Sequence, residues 1–198
     1  MADFASLVND VYTLTNATWL ESETALAVKS ATLKMHRTDF YFKDLYEVAL
    51  KYTEAAYLQT IDYRTLFPRY RSLKYLRKLD STGQNPSKFF DIITPEEILD
   101  SYKEERVDVC YVAGQVIQVK SSTQDSYSLI GVYLLPDVSS PENYNSWIAD
   151  EAPMAIVYEA AAAIFGIMEN DKAKNTYTGM AADEMLLIKQ DNIQSKGY

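Results

Sequence analysis

The stretch EAPMAIVYEAAAAIFGIMEND, Glu151 to Asp171, constrains this chain more than any other. It reads as a helix, yet it carries almost no polar face. A helix that is apolar on every side must be hidden in the chain's own core, in a membrane, or against other copies. A bilayer span needs about 20 apolar residues, and Glu159 interrupts the run before that length is reached. The cover must therefore come from protein.

Composition narrows the field. With 198 residues, 47% of them hydrophobic, the chain can bury one core or two small ones that share a fold. The net charge of −9 argues against general nucleic-acid binding, which rests on clustered Lys and Arg. The single cysteine, Cys110, excludes an intrachain disulfide framework and a Cys-rich zinc site. The first residues, MADFASLVNDVYTLTN, lack the basic and apolar regions of a signal peptide. Sixteen tyrosines, stiff and amphipathic, tilt the reading towards extensive shared surface.

The two ends read as helical and the middle does not. Phe4, Leu7, Val8 and Val11 predict a helix over 3–14. In the next helix Thr18 and Glu21 have the spacing of a capping box. Ala25, Val28, Thr32 and Met35 form one stripe there, while Leu26 and Leu33 form a second that implies another neighbour. The aromatic-rich stretch 46–80 fits strand or helix, with strand preferred. TPEEILDSY predicts a short helix capped by Thr94, with Pro95 at its first position and Glu97 closing the box. Residues 107–119 read as a hairpin about Gly114, and Tyr127–Leu135 as a third strand of a meander. Helices are expected at about 151–169 and 172–189, followed by an extended polar tail. The expectation is an α+β fold in four parts. Residues 1–42 and 138–189 supply the helix pairs of one bundle, 43–137 a β-rich insertion, and 190–198 the tail.

Catalytic candidates are few. His36 is the only histidine, and its place at a helix C-terminus favours a structural role. Cys110 lies in an apolar strand, where a free cysteine behaves as a small hydrophobe. Asp91, Glu96, Glu97 and Asp100 match no calcium loop, and helix-start electrostatics explain both glutamates. The glycines form no phosphate-binding loop. No cofactor is implied.

One charge feature stands out. Arg64, Arg69, Arg71, Lys74, Arg77 and Lys78 fall within fifteen positions that contain no acid, while the remainder holds 28 acids against 13 bases. The strip is either a solvated strand face or a basic element that docks on the acidic face of a partner or second copy. Its interleaved aromatics also fit a nucleic-acid strip, a reading the overall charge disfavours.

Several segments together resemble the head-to-tail adaptor (connector) proteins of tailed bacteriophages. They are LVNDVYTLTN, ETALAVKSATLKMHRTDFYFKDL, YLQTIDYRTLFPRYRSLKYLRK, TPEEILDSY with RVDVCYVAGQVIQVKSS, and WIADEAPMAIVYEAAAAIFGIMEND, in order over nearly the whole chain. The resemblance implies a non-enzymatic virion protein of the neck, made in the host cytoplasm. It would form a ring, commonly twelve-fold, below the portal. The ring would extend the DNA channel, let DNA pass without specific binding, and seat the tail or nozzle protein. It also implies a portal-docking tail formed by Gln190, Asp191, Asn192, Ile193, Gln194, Ser195, Lys196, Gly197 and Tyr198, and no membrane partner. On this reading Ile156, Ala160, Ala161, Ile164 and Phe165 are buried in the bundle, with an adjacent subunit covering another side of their helix. The alternatives are another neck or tail ring component (a stopper or tail-completion protein), a cytosolic enzyme using the carboxylates at 91–100, and an acidic regulator of a basic partner.

Overall fold

The computed structural model describes residues 3–99 and 104–195. It is an α+β protein that divides into two compact units, Met1–Asp44 with Leu135–Tyr198 and Leu45–Leu134. The break at each end of the middle unit falls where helix gives way to strand and strand to loop.

The first unit is helical. Helix α1, Phe4–Thr15, starts where Asp3 accepts the Ser6 N–H at 2.7 Å. It stops at Asn16, whose left-handed φ of 52° a short polar residue tolerates. Helix α2, Glu21–Arg37, begins after Leu20 without a side-chain cap, so the box expected from Thr18 and Glu21 does not form. Helix α4 is Trp147–Glu151, α5 is Pro153–Ile167, and Pro153 opens α5 without forfeiting a hydrogen bond. Helix α6, Asp171–Ser195, is started by Asn170, whose side chain accepts the Ala173 N–H.

Helix α5 lies at the centre and packs on α1, α2, α4 and α6. Ile156, Ala160, Ala161, Ile164 and Phe165 are all buried, in a core shared with Leu7, Val11, Val28, Met35, Ile148 and Ile188. Small residues on the facing helices, Ala27 and Ala31 on α2 and Ala160 and Ala161 on α5, let these backbones approach. The chain's own bundle therefore covers most of α5, while Ala163 and Ile167 stay exposed.

The C-terminal tail is also corrected. Gln190–Ser195 continues α6 rather than running extended. Ile188 and Asn192, one helical turn apart, are both buried. Asn192 Oδ1 accepts the Phe42 N–H at 3.0 Å, while its amide reaches Asp39 at 3.3 Å. A polar composition hid this continuation of the buried stripe. Lys196, Gly197 and Tyr198 lie outside the described residues.

The second unit is a six-stranded sheet. Strand β1 is Leu45–Asp62, a helical turn α3 is Tyr63–Leu66, and β2 is Tyr70–Leu79, so 46–80 is mostly strand. Short strands β3, Pro86–Phe89, and β4, Asp91–Ile92, follow, then a 3-10 turn, Pro95–Ile98, with its Thr94–Glu97 capping box in place. Strand β5 is Val109–Ala113, and the turn at Gly114 has φ 62°. Strand β6, Val116–Leu134, is one unbroken strand, not the return of a hairpin followed by a separate third strand.

β6 organises the sheet. Along one edge it pairs antiparallel with β1, from Asp62↔Val116 to Leu45↔Tyr133, through an irregularity near Lys51–Leu58. Its other edge is shared: β5 takes Val116–Lys120 and β2 takes Ser128–Leu134. Ile61, Phe67, Leu76, Phe90, Cys110, Ile117, Val119, Ile130 and Val132 form the core of this unit. The Tyr75 ring lies across Gly131, where a Cβ would sit 2.6 Å from Cζ. Among the described residues, no helix is long and apolar enough to cross a membrane.

Candidate functional site

The basic strip does not act as one patch. Consecutive strand residues face opposite sides of a sheet, and β2 parts Arg77 from Lys78 in this way. Lys78 is buried, 2.6 Å from Asp108 and 3.8 Å from Asp125, and donates to Ser122 Oγ and Thr123 Oγ1. Asp108 also accepts from Lys88 Nζ and from the Ser122 N–H. Burial alone would raise the Asp108 carboxyl, but bonds from Lys78, Ser122 and Lys88 outweigh it and hold the group well below the usual carboxylate range. This cluster also explains the length of β6. Ser121, Ser122, Thr123 and Asp125 lie between the strands expected at 107–119 and 127–135, yet their polar side chains close on one another and on Asp108.

Lys78 is thus unable to dock on a partner, which removes it from the interface expected of the strip. Arg77 lies with its guanidinium 4.4 Å from the Phe89 ring and donates to the Ser87 carbonyl. Arg64, Arg69 and Lys74 are exposed and Arg71 is half-buried. Asp62 caps the turn that carries Arg64, accepting from the Arg64 and Thr65 amides.

His36 is the centre of a chain that proximity in sequence could not reveal. Its Nδ1 lies 2.8 Å from Asp44 Oδ1 and its Nε2 2.9 Å from Ser146 Oγ. Ser146 Oγ accepts the Ala149 N–H at the start of α4, which leaves its own proton for the imidazole. Trp147 Nε1–H donates to the same Asp44 oxygen at 2.7 Å. The Asp–His–Ser order matches that of hydrolytic triads, but the imidazole is only 1% exposed and the serine is committed to capping a helix. The geometry ties α2, the turn Phe42–Asp44 and α4 together; substrate has no access to it.

The other candidates are accounted for locally. Burial pushes the Cys110 thiol up to about 12, and the charge of Asp91 adds to the effect, so the sulfur is inert. Glu97 is held below its usual range by the Thr94 N–H, which donates to it at 2.8 Å. Asp91 reaches Arg106 at 3.9 Å, Glu96 is exposed, and Asp100 lies outside the described residues. Among the described residues no three His, Cys, Asp or Glu side chains gather as metal ligands would. A cavity of about 250 Å³ in the helical unit is lined by Tyr41, Lys43, Trp147, Glu151 and Asp191. Lys43 sits 5.1 Å above the Trp147 ring and pairs with Glu151.

No protein-family model matches this chain, and no curated protein matches it in sequence.

What remains are uncovered apolar surfaces. On the helical unit Trp19 and Leu26 are each 68% exposed, and Met180 and Leu187 stand out from α6. On the sheet unit Tyr57, Leu58, Leu66 and Phe89 are exposed. Scattered apolar residues are ordinary on any protein. Leu26 and Leu33, however, lie seven residues apart on one face of α2, with Leu26 exposed and Leu33 half-buried. Leu26 and Leu33 are legible in the sequence as a second stripe, and the seven-residue spacing of Met180 and Leu187 is equally legible there.

Proposed function

We propose that the chain is a non-enzymatic assembly subunit, a head-to-tail adaptor of a phage neck. Copies join into a ring, of the commonly twelve-fold kind, that docks on a portal protein, continues the DNA channel and seats a tail or nozzle component. The observation that carries this reading is the exposed apolar surface of the helical unit, Trp19 and Leu26 at and before α2 and Met180, Leu186 and Leu187 on α6, which the chain's own core leaves uncovered. Apolar surface of this kind is characteristic of interfaces. The acidic balance suits the wall of a DNA conduit, since a surface that repels phosphate lets the duplex slide. Lys196–Tyr198 and the exposed flank of the last turn of α6 are the remaining candidates for portal contact.

The test is negative-stain electron microscopy of the purified protein mixed with the portal of the same phage. An added collar on the portal is the expected result and would give the symmetry. A portal that stays bare while the protein remains dispersed would refute the adaptor reading.

A further inference from the structure

The cavity of about 250 Å³ in the helical unit has walls that suit one kind of guest. Its floor is apolar and aromatic: Tyr41 and Ile188 are buried, and the Trp147 ring is half-buried beside them. Its charged residues, Lys43, Glu151 and Asp191, are exposed and so form the rim. The volume lies below the roughly 300–1,000 Å³ of pockets that take drug-sized ligands. A nucleotide or a large cofactor is too big for it, whereas a single side chain or a small amine fits.

The aromatic wall is fixed before anything binds. Trp147 Nε1–H donates to Asp44 at 2.7 Å, and the Tyr41 ring meets the indole in a T-shaped contact with centroids 5.2 Å apart. The Tyr41 hydroxyl in turn lies 2.9 Å from Thr38 Oγ1. The face of an aromatic ring attracts cations through its quadrupole, and that of Trp does so most strongly. This wall already holds one: Lys43 Nζ sits 5.1 Å from the centroid of the Trp147 ring.

The charges at the rim do not cancel. Lys43 pairs with Glu151, and the Asp191 carboxylate has no ion pair or hydrogen bond among the described residues. One cation and two anions leave the rim with a net charge of −1, which a single positive charge neutralises. Asp191 also stands near the C-terminal end of α6, where the carbonyl dipoles favour positive charge. An anionic guest would meet a field of the wrong sign, and a neutral one would leave Asp191 unpaired.

We propose that this cavity is a binding site for an organic monocation, an alkylguanidinium or alkylammonium group. Its stem lies on Ile188, and its charge sits between the Trp147 ring and Asp191. Two sources carry that chemistry, a free small amine or guanidine and a basic side chain of another protein. The site goes beyond the adaptor reading and lies within the helical unit of one chain, so neither depends on the other.

The experiment uses the full chain with Trp19→Phe. This change falls on a residue that is 68% exposed and leaves Trp147, in the wall of the cavity, as the only tryptophan. Butylguanidinium is the probe, its binding is followed by Trp147 emission, and neutral butylurea of the same shape is the control. A saturable change with a midpoint of about 1 mM is expected from butylguanidinium, and none from butylurea at the same concentrations. Asp191→Asn should weaken binding about fivefold. Lys43→Met removes the competing cation and frees Glu151, so it should tighten binding about fivefold. Both positions are exposed, and far-UV circular dichroism checks that each variant folds. The opposite directions are diagnostic, since a merely apolar cavity would respond to neither charge. The peptide acetyl-Gly-Arg-Gly-amide separates the sources. A midpoint at or below that of butylguanidinium assigns the site to a protein side chain, and a peptide that stays unbound while butylguanidinium binds assigns it to a small free cation. A change that never saturates, equal binding of butylurea, or a midpoint that neither variant moves would overturn the proposal. The portal experiment decides the adaptor reading separately.

Discussion

Replacing Lys78 with Met keeps most of the length of the side chain and removes its ammonium group, with the charge and the bonds to Ser122 and Thr123. In the folded protein that charge lies 2.6 Å from Asp108 and 3.8 Å from Asp125, with all three side chains nearly buried. Lys78→Met leaves two carboxylates close together in a poorly solvated setting. Breaking a buried pair from one side costs about 3–5 kcal/mol. Lys88 Nζ remains 3.0 Å from Asp108, and Ser122 still donates to it, so the lower end, about 3 kcal/mol, is expected. At a urea m-value of about 2 kcal/mol/M, the midpoint of the sheet unit should fall by roughly 1.5 M. The assay separates the units, because both tryptophans, Trp19 and Trp147, lie in the helical one. Far-UV circular dichroism then reports the sheet unit alongside a fluorescence transition from the bundle. Adding Asp108→Asn should recover about half of the loss, since the unpaired charge is then halved. A single variant within about 0.5 kcal/mol of the wild type would mean that the cluster is solvated, and would refute the account of why β6 runs unbroken through Ser121–Asp125.

Further outcomes follow from the same geometry. Ala161→Glu places a carboxylate at the centre of the bundle, where Ala161 is wholly buried, and should abolish the cooperative fluorescence transition; a folded variant would refute the burial of α5. Gly131→Ala drives a methyl group into the Tyr75 ring, which must swing away, at a cost of about 1–3 kcal/mol in the urea midpoint of the sheet unit. Stability should also fall in acid. Asp108 titrates lower in the folded than in the unfolded chain, so its contribution is complete above about pH 4 and is lost as the pH falls below that value towards the folded pKa. In alkali the sign reverses. Burial holds the Tyr52 hydroxyl and the Cys110 thiol protonated up to about 12, so the unfolded chain loses those protons first. Stability should decline above about pH 9, by up to about 1.4 kcal/mol per pH unit for each group. Urea midpoints at pH 7 and in alkaline buffer, with Cys110→Ala showing a shallower decline, would check this.

Local signals set out much of the fold in advance. Phe4, Leu7 and Val11 mark α1 by spacing alone, Thr94 with Glu97 closes its capping box, and Gly114 turns the chain between β5 and β6. The apolar stretch after Pro153 demanded burial, and the bundle provides it for all but Ala163 and the end of the stretch at Ile167 and Met168. Each of these depends on residues within a few positions of one another, and that information is carried by any one stretch of the chain.

The remainder depended on partners distant in sequence. Thr18 and Glu21 have the spacing of a cap, but the chain enters α2 through Leu20 instead. Ser121–Asp125 stands between two expected strands until Lys78, more than forty positions earlier, is seen to neutralise Asp108 beneath it. Gln190–Ser195 reads as a solvated tail until Asn192 is found bonded to Asp39 and Phe42. His36 gave no sign of Asp44 or Ser146 as partners, because Ser146 lies more than a hundred positions away.

The sequence by itself determined the class of the protein, the order of its elements and the need to hide α5, because periodicity, caps and composition act over a single turn of helix or strand. Only the tertiary structure decided what hides α5, where Lys78 is neutralised, and which apolar residues remain in water. Burial and pairing are properties of surfaces assembled from distant segments, so a side chain's exposure is fixed only when its neighbours arrive.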